Sequence, residues 1–223
     1  MVEAALGEAI PADWSPRTIE IPSEPSGRPC ARLAPEAIAV RGFRPGDRLP
    51  VSVSISHAEG HALCAATFAA PEAGGVTRAL GVDLGRVEPR SREFLGTFFT
   101  DAERRYVREA PAGEGDLRAN LVWCAKEAVL KALGLGLTVD TLDLSCRPGP
   151  GLADPAEWPL APPDGAWFSF VAECGRALVP GGGTIRGIWR TFPGFVGALA
   201  SHESSGSPPA SAADRRRSTG WPA

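Results

Sequence analysis

Glu127 and Lys131 stand four residues apart in the stretch 119–133, which holds no glycine or proline and is rich in good helix formers. On a helix that spacing sets a carboxylate and an ammonium one turn apart on one face, with Asn120 and Trp123 continuing it. Taken alone, the pair reads as a surface ion pair worth about 0.3–0.5 kcal/mol. Asp83 changes the weighing. It sits in Ala79-Leu-Gly-Val-Asp-Leu-Gly85, a strand that otherwise asks for burial. A buried carboxylate is costly unless it is paired or binds a metal. It reads either as a strand-end cap or as a hard-cation ligand. One carboxylate on a strand and one on a helix, completed by phosphate oxygens and water, is a usual way to hold Mg²⁺. Ser56-His57 is the third candidate. Neighbours on a strand face opposite ways, so the dipeptide is not a nucleophile–base pair. It suits hydrogen-bond donation to an anion. Gly181-Gly-Gly183 lacks a following Lys-Ser/Thr and helix, and reads as a turn rather than a phosphate loop.

These residues need elements to position them. Residues 2–10 have the spacing of a short helix, and 18–22 alternate like a strand. Residues 23–50 are turn-rich and carry Arg28, Arg32, Arg41, Arg44 and Arg48. They read as a solvated loop or as a local cationic site for an anionic ligand. Val51-Ser-Val-Ser-Ile-Ser56 alternates with period two, so Val51, Val53 and Ile55 point one way and the serines the other. His57 to Gly60 turns, and 61–70 reads as a buried return strand, with 78–84 as a third strand. Thr100-x-x-Glu103 is a capping box opening a helix of about ten residues that carries Arg104, Arg105 and Arg108. That helix face suits an acidic partner helix or plain solvent equally. Residues 111–115 break it, and Gly134 closes the long helix. Strands are predicted over 138–145, 166–173, 184–190 and 195–200, with a Pro/Gly-rich loop at 147–165 and a disordered tail from 201. No internal repeat is present.

The chain has 223 residues, 43% hydrophobic and 22% charged, an ordinary globular composition. A net charge of −3 makes no case for nucleic acid. No apolar run is long enough to span a membrane, and no secretory signal opens the sequence. Five scattered cysteines without Cys-x-x-Cys argue for a reducing, cytoplasmic setting. Only Lys126 and Lys131 among 23 basic residues are lysine, and they fall together, which hints that ammonium groups are wanted there.

Gly81-Val-Asp-Leu84, Phe99-Thr-x-x-Glu103 and Trp123-Cys-Ala-Lys-Glu-Ala-Val-Leu-Lys-Ala-Leu-Gly134-Leu-Gly136 resemble the signature of the 4′-phosphopantetheinyl transferases. Upstream, Gly27-Arg28-Pro29 and Val53-Ser-Ile-Ser-His57 match two further motifs of that family in order. The resemblance covers roughly 17–145, with Trp189 to Ala200 fitting the closing strand. It implies Mg²⁺-dependent transfer of phosphopantetheine from coenzyme A to a serine of an acyl or peptidyl carrier protein, releasing 3′,5′-ADP. Such carriers serve fatty acid, polyketide or nonribosomal peptide synthesis. Length and Ser56-His57 suggest the monomeric Sfp-like class, an α+β fold of two pseudo-symmetric halves with the site between them. By this resemblance Asp83 and Glu127 are the Mg²⁺ ligands, and Glu127 is also the candidate base for the serine. Lys131 lies on the CoA phosphates with Lys126 beside it, His57 with Ser56 holds phosphate, and Gly27, Arg28 and Pro29 form the adenine-side strip.

Two departures stand out. Gly85 occupies a position where many members carry a third carboxylate, so water is expected there, and a glutamate at 85 is expected to arrive beside Asp83. The front half, 1–78, looks shortened and lacks an arginine-bearing segment; 79–200 forms the other half, and 201–223 the tail. The competing readings are a non-catalytic member that binds CoA or carrier protein, and an unrelated α+β binding protein.

Overall fold

The computed structural model describes residues 18–37, 43–68, 76–148 and 167–205. The helix expected over 2–10, most of the loop at 147–165 and the tail beyond 205 lie outside the described residues. Among the described residues nine strands run in the order β1 (Ile19–Glu20), β2 (Cys30–Leu33), β3 (Arg48–Ala58), β4 (His61–Phe68), β5 (Val76–Arg86), β6 (Leu144–Pro148), β7 (Phe168–Cys174), β8 (Gly183–Phe192) and β9 (Phe195–Ser205). Helices α1 (Arg92–Phe98), α2 (Asp101–Arg108) and α3 (Gly115–Leu133) fall between β5 and β6. One sheet has the order β1-β2-β3-β4 and the other β5-β9-β8-β7-β6, so the architecture is mixed α+β with two sheets.

The chain divides into two compact units. The first draws its described residues from Met1–Ser54, Ala66–Ala79 and Glu203–Ala223, and the second from Ile55–Ala65 and Leu80–His202. The first unit packs Leu49, Val51 and Ala31 together, with Ile19, Phe43 and Val53 against them. Its irregular segment 23–50 contains β2, which the turn-rich composition hid, and the start of β3. Gly27 has φ +82, a left-handed turn residue, where its N–H meets the carbonyl of Glu24.

In the second unit α3 is apolar nearly all round. Leu121, Val122, Ala125, Ala128, Val129 and Leu130 are buried, as befits a helix enclosed rather than laid on a surface. Gly134 ends it at φ +69, its N–H returning to the carbonyls of Leu130 and Lys131. Phe99, Phe170 and Trp189 fill the core beside it. The β6–β9 strands are antiparallel, with Phe168 opposite Trp189 and Phe192 opposite Phe195.

The capping box forms as expected: Thr100 Oγ1 accepts from the N–H of Glu103, and the Glu103 carboxylate accepts from the N–H of Thr100. Several boundaries move. The expected strand at 138–145 is a turn followed by a 3-10 turn, Thr141–Asp143, because Asp140 caps Leu142; the strand itself is Leu144–Pro148. The supposed tail begins as strand, since β9 runs through Ser205.

Burial along β3 also differs from the alternation. Val51 is buried, but Ile55 is 40% exposed while Ser54 and Ser56 are buried. Ser56 tolerates this because its hydroxyl is engaged by Asp83 and the N–H of Leu84, within the second unit. The return strand β4 starts exposed at His61, Ala62 and Cys64 rather than buried; Ala65 is buried, and Leu63, Ala66 and Thr67 are partly buried. The hairpin turn is Glu59-Gly60, both at positive φ (46° and 80°), the two-residue geometry that matches strand twist.

Candidate active site

The sequence Gly81-x-Asp83-x-Gly85 places three residues on one face of β5, and α3 lies directly on that face. A Cβ at Gly81 would fall 1.9 Å from the carbonyl oxygen of Ala128, and one at Gly85 would fall 2.7 Å from the Cys124 sulfur. Strand and helix backbones therefore approach as closely as glycine permits. Asp83, between the two glycines, is carried against the helix turn that bears Glu127 and Lys131.

Lys131 Nζ donates to Asp83 Oδ1 at 2.7 Å and to the carbonyl of Val82 at 3.1 Å. The Ser56 hydroxyl donates to the same Oδ1 at 2.8 Å and accepts from the N–H of Leu84 at 3.1 Å. Asp83 is 8% exposed, so these bonds answer the cost of burying its charge. The surface ion pair that the Glu127–Lys131 spacing alone allowed does not form; Lys131 pairs with Asp83 instead. Glu127 has no hydrogen bond or ion pair among the described residues. Burial raises its pKa, the nearby Asp83 charge raises it further, and Lys131 offsets part of the rise.

These side chains line one cavity of about 470 Å³, together with His57, Trp123 and Arg90. Arg86 and Glu59 also line it and bind each other through two bonds of 2.7 and 2.9 Å. Arg90 lies 3.0 Å from Glu88. Each cation on the wall thus faces a carboxylate of its own, and Glu127 is the carboxylate left over. An unpartnered, half-buried carboxylate beside a second one is a place for an added cation. Among the described residues no cluster of three His, Cys, Asp or Glu side chains forms a complete protein cage for a metal.

Ser56, His57, Asp83, Glu127 and Lys131 are therefore brought together as expected. Lys126 is not. Its ammonium is fully buried, 2.9 Å from Glu103, and donates to the carbonyls of Thr141 and Leu144. Consecutive residues on a helix point in different directions, and Lys126 points into the core. Gly27, Arg28 and Pro29 belong to the first unit, on the turn bridged by Ser23 and Pro29. Burial lowers the Arg28 pKa. Gly85 is also reinterpreted: the room that a glutamate there was expected to use is taken by Cys124. The sequence reading missed Arg86, Arg90, Glu59 and Glu88. Their types were visible, but nothing in their spacing set them at the cavity.

Residues 79–176 match the family model of the 4′-phosphopantetheinyl transferase superfamily. The matched stretch contains Asp83, Glu127 and Lys131. A holo-[acyl-carrier-protein] synthase from Verminephrobacter eiseniae (strain EF01-2) is 37% identical over 67 residues, covering 26% of this chain and 49% of that protein. The chain thus spans about half the length of the curated relative it matches. A solved structure titled as an apo-ACPS from Chronobacterium ammoiniagenes aligns with a TM-score of 0.36 and 16% identity, over 59% of this chain and 99% of that one. Asp83, Glu127 and Lys131 line one cavity, all within the second unit. Among the described residues no helix is long and apolar enough to cross a membrane.

Proposed function

We propose that this protein transfers the 4′-phosphopantetheine group from coenzyme A to a serine hydroxyl of an apo acyl or peptidyl carrier protein and releases 3′,5′-ADP. The observation that carries this reading is the leftover Glu127 carboxylate beside Asp83, in a cavity also lined by Lys131 and His57. Asp83 and Glu127 suit Mg²⁺, which takes one or two protein carboxylates and fills its other positions with phosphate oxygens and water. When bound, the ion neutralises the diphosphate and polarises its oxygens.

The chain's own residues supply the rest. Lys131, anchored on the Val82 carbonyl, presents a fixed ammonium to the phosphates. Ser56 holds the Asp83 carboxylate in place from the strand side, a positioning role rather than the direct phosphate contact first expected. In this reading His57, which lines the same cavity, donates to phosphate. Glu127 accepts the serine proton as the serine oxygen bonds to phosphorus and the diphosphate P–O bond breaks, the electron pair leaving with 3′,5′-ADP. A carboxylate whose pKa is raised is a stronger base than an ordinary one. Most of the rate enhancement comes from position and charge neutralisation.

The test is 3′,5′-ADP release from coenzyme A, followed by chromatography. Release should require Mg²⁺ and apo carrier and vanish when the carrier serine is replaced by alanine. Coenzyme A binding without release in any condition would favour the non-catalytic reading.

A further inference from the structure

Arg90 lies in the loop between β5 and α1 and is held on three sides. Its Nε donates to Asn120 Oδ1 at 2.9 Å, Nη1 lies 3.0 Å from Glu88, and the guanidinium carbon sits 4.9 Å over the ring of Phe94. Asn120 is fully buried on α3. Its amide nitrogen donates to the carbonyls of Glu88 at 2.6 Å and Asp116 at 2.8 Å, which fixes that end and turns the oxygen to Arg90. A surface arginine needs no such seat. Freezing its rotamers costs on the order of 2 kcal/mol, and the Glu88 partner is 46% exposed, so that ion pair returns little. Nη2 has no protein partner among the described residues. The side chain lines the cavity with Lys131 and Glu127, and its charge, like that of Lys131, reaches the Cys124 thiol beside Asp83.

We propose that Arg90 is a prefixed diphosphate-binding residue of this site and that Asn120 is its positioning residue. A planar guanidinium with its Nη2 left over can donate to a phosphate oxygen, and fixing it in advance removes the ordering cost from binding. The proposal rests on the reading of the site as a coenzyme A phosphoryl-transfer site.

The test is calorimetric titration of coenzyme A and of inorganic pyrophosphate, both with Mg²⁺, into wild type, Arg90→Gln, Arg90→Lys, Asn120→Ala and the Arg90→Gln/Asn120→Ala double variant. Arg90→Gln should weaken both ligands roughly tenfold, the scale of one charge-assisted hydrogen bond. Arg90→Lys should fall between it and wild type. Asn120→Ala should weaken both by a smaller factor and add nothing in the double variant, since it acts through Arg90. The KM for coenzyme A should rise more than kcat falls. Arg90→Gln affinities within twofold of wild type, or a loss seen for coenzyme A but not pyrophosphate, would overturn the proposal alone. Failure of wild type to bind either ligand would overturn the transferase reading on which it rests.

Discussion

Burial and the Asp83 charge both oppose ionisation of Glu127. A carboxyl with a folded pKa above its unfolded value costs stability as pH rises through that window, and the full cost persists above it. Glu127→Gln removes the cost. The variant should melt higher than wild type at pH 7, and the difference should disappear near about pH 3.5, below the ordinary glutamate value. Mg²⁺ should raise the wild-type melting temperature and leave that of the variant almost unmoved. A variant less stable than wild type at pH 7, or a gap indifferent to pH, would show that Glu127 is satisfied in a way the geometry does not reveal. Gly85 is the second residue whose role is steric. Gly85→Ala drives a methyl against Cys124 and should cost about 1–3 kcal/mol. Adding Cys124→Ala should recover most of that in denaturant unfolding, a coupling that distant residues do not show.

At the scale of elements, Glu103 joins the start of α2 to the middle of α3 and to β6. Its carboxylate accepts from Thr100 N–H and Cys146 N–H and pairs with Lys126, which is itself tied to the carbonyls of Thr141 and Leu144. Lys126→Met leaves a buried carboxylate without its cation and should cost about 3–5 kcal/mol in denaturant unfolding. Under conditions where the variant is folded, its coenzyme A affinity should equal that of wild type; a lost affinity with unchanged stability would return Lys126 to the ligand. This element also shows what the sequence carries. Thr100-x-x-Glu103 was legible because a capping box is local in sequence. The burial of its glutamate against a lysine on another helix was not, because that depends on how α2 and α3 pack. Likewise α1 is only seven residues long and announces itself by little more than the Ser91 cap, while β6 starts late because Asp140 diverts the chain into a 3-10 turn.

At the scale of the molecule, the family match over 79–176 falls almost wholly in the second unit, and so does each residue placed in the site. Asp83, Glu127 and Lys131 were legible because strand period and helix period each put them on a defined face, and Gly81 brings those faces together. The hairpin tip at Ser56-His57 joins this unit although it precedes it in the chain, a long-range placement that local periodicity does not encode. Arg90 escaped notice for the same reason, its seat being made by Asn120 thirty residues on. The central claim is that the second unit assembles a metal-assisted phosphoryl-transfer site around Asp83 and Glu127. Intact-mass spectrometry of an apo carrier protein incubated with coenzyme A and the full chain tests it most directly. Wild type with Mg²⁺ should add one phosphopantetheine to the carrier. Chelated wild type, and Glu127→Gln with its fold verified by melting, should leave the carrier mass unchanged. Normal modification by Glu127→Gln at saturating Mg²⁺, or no modification by wild type of any apo carrier, would contradict the account.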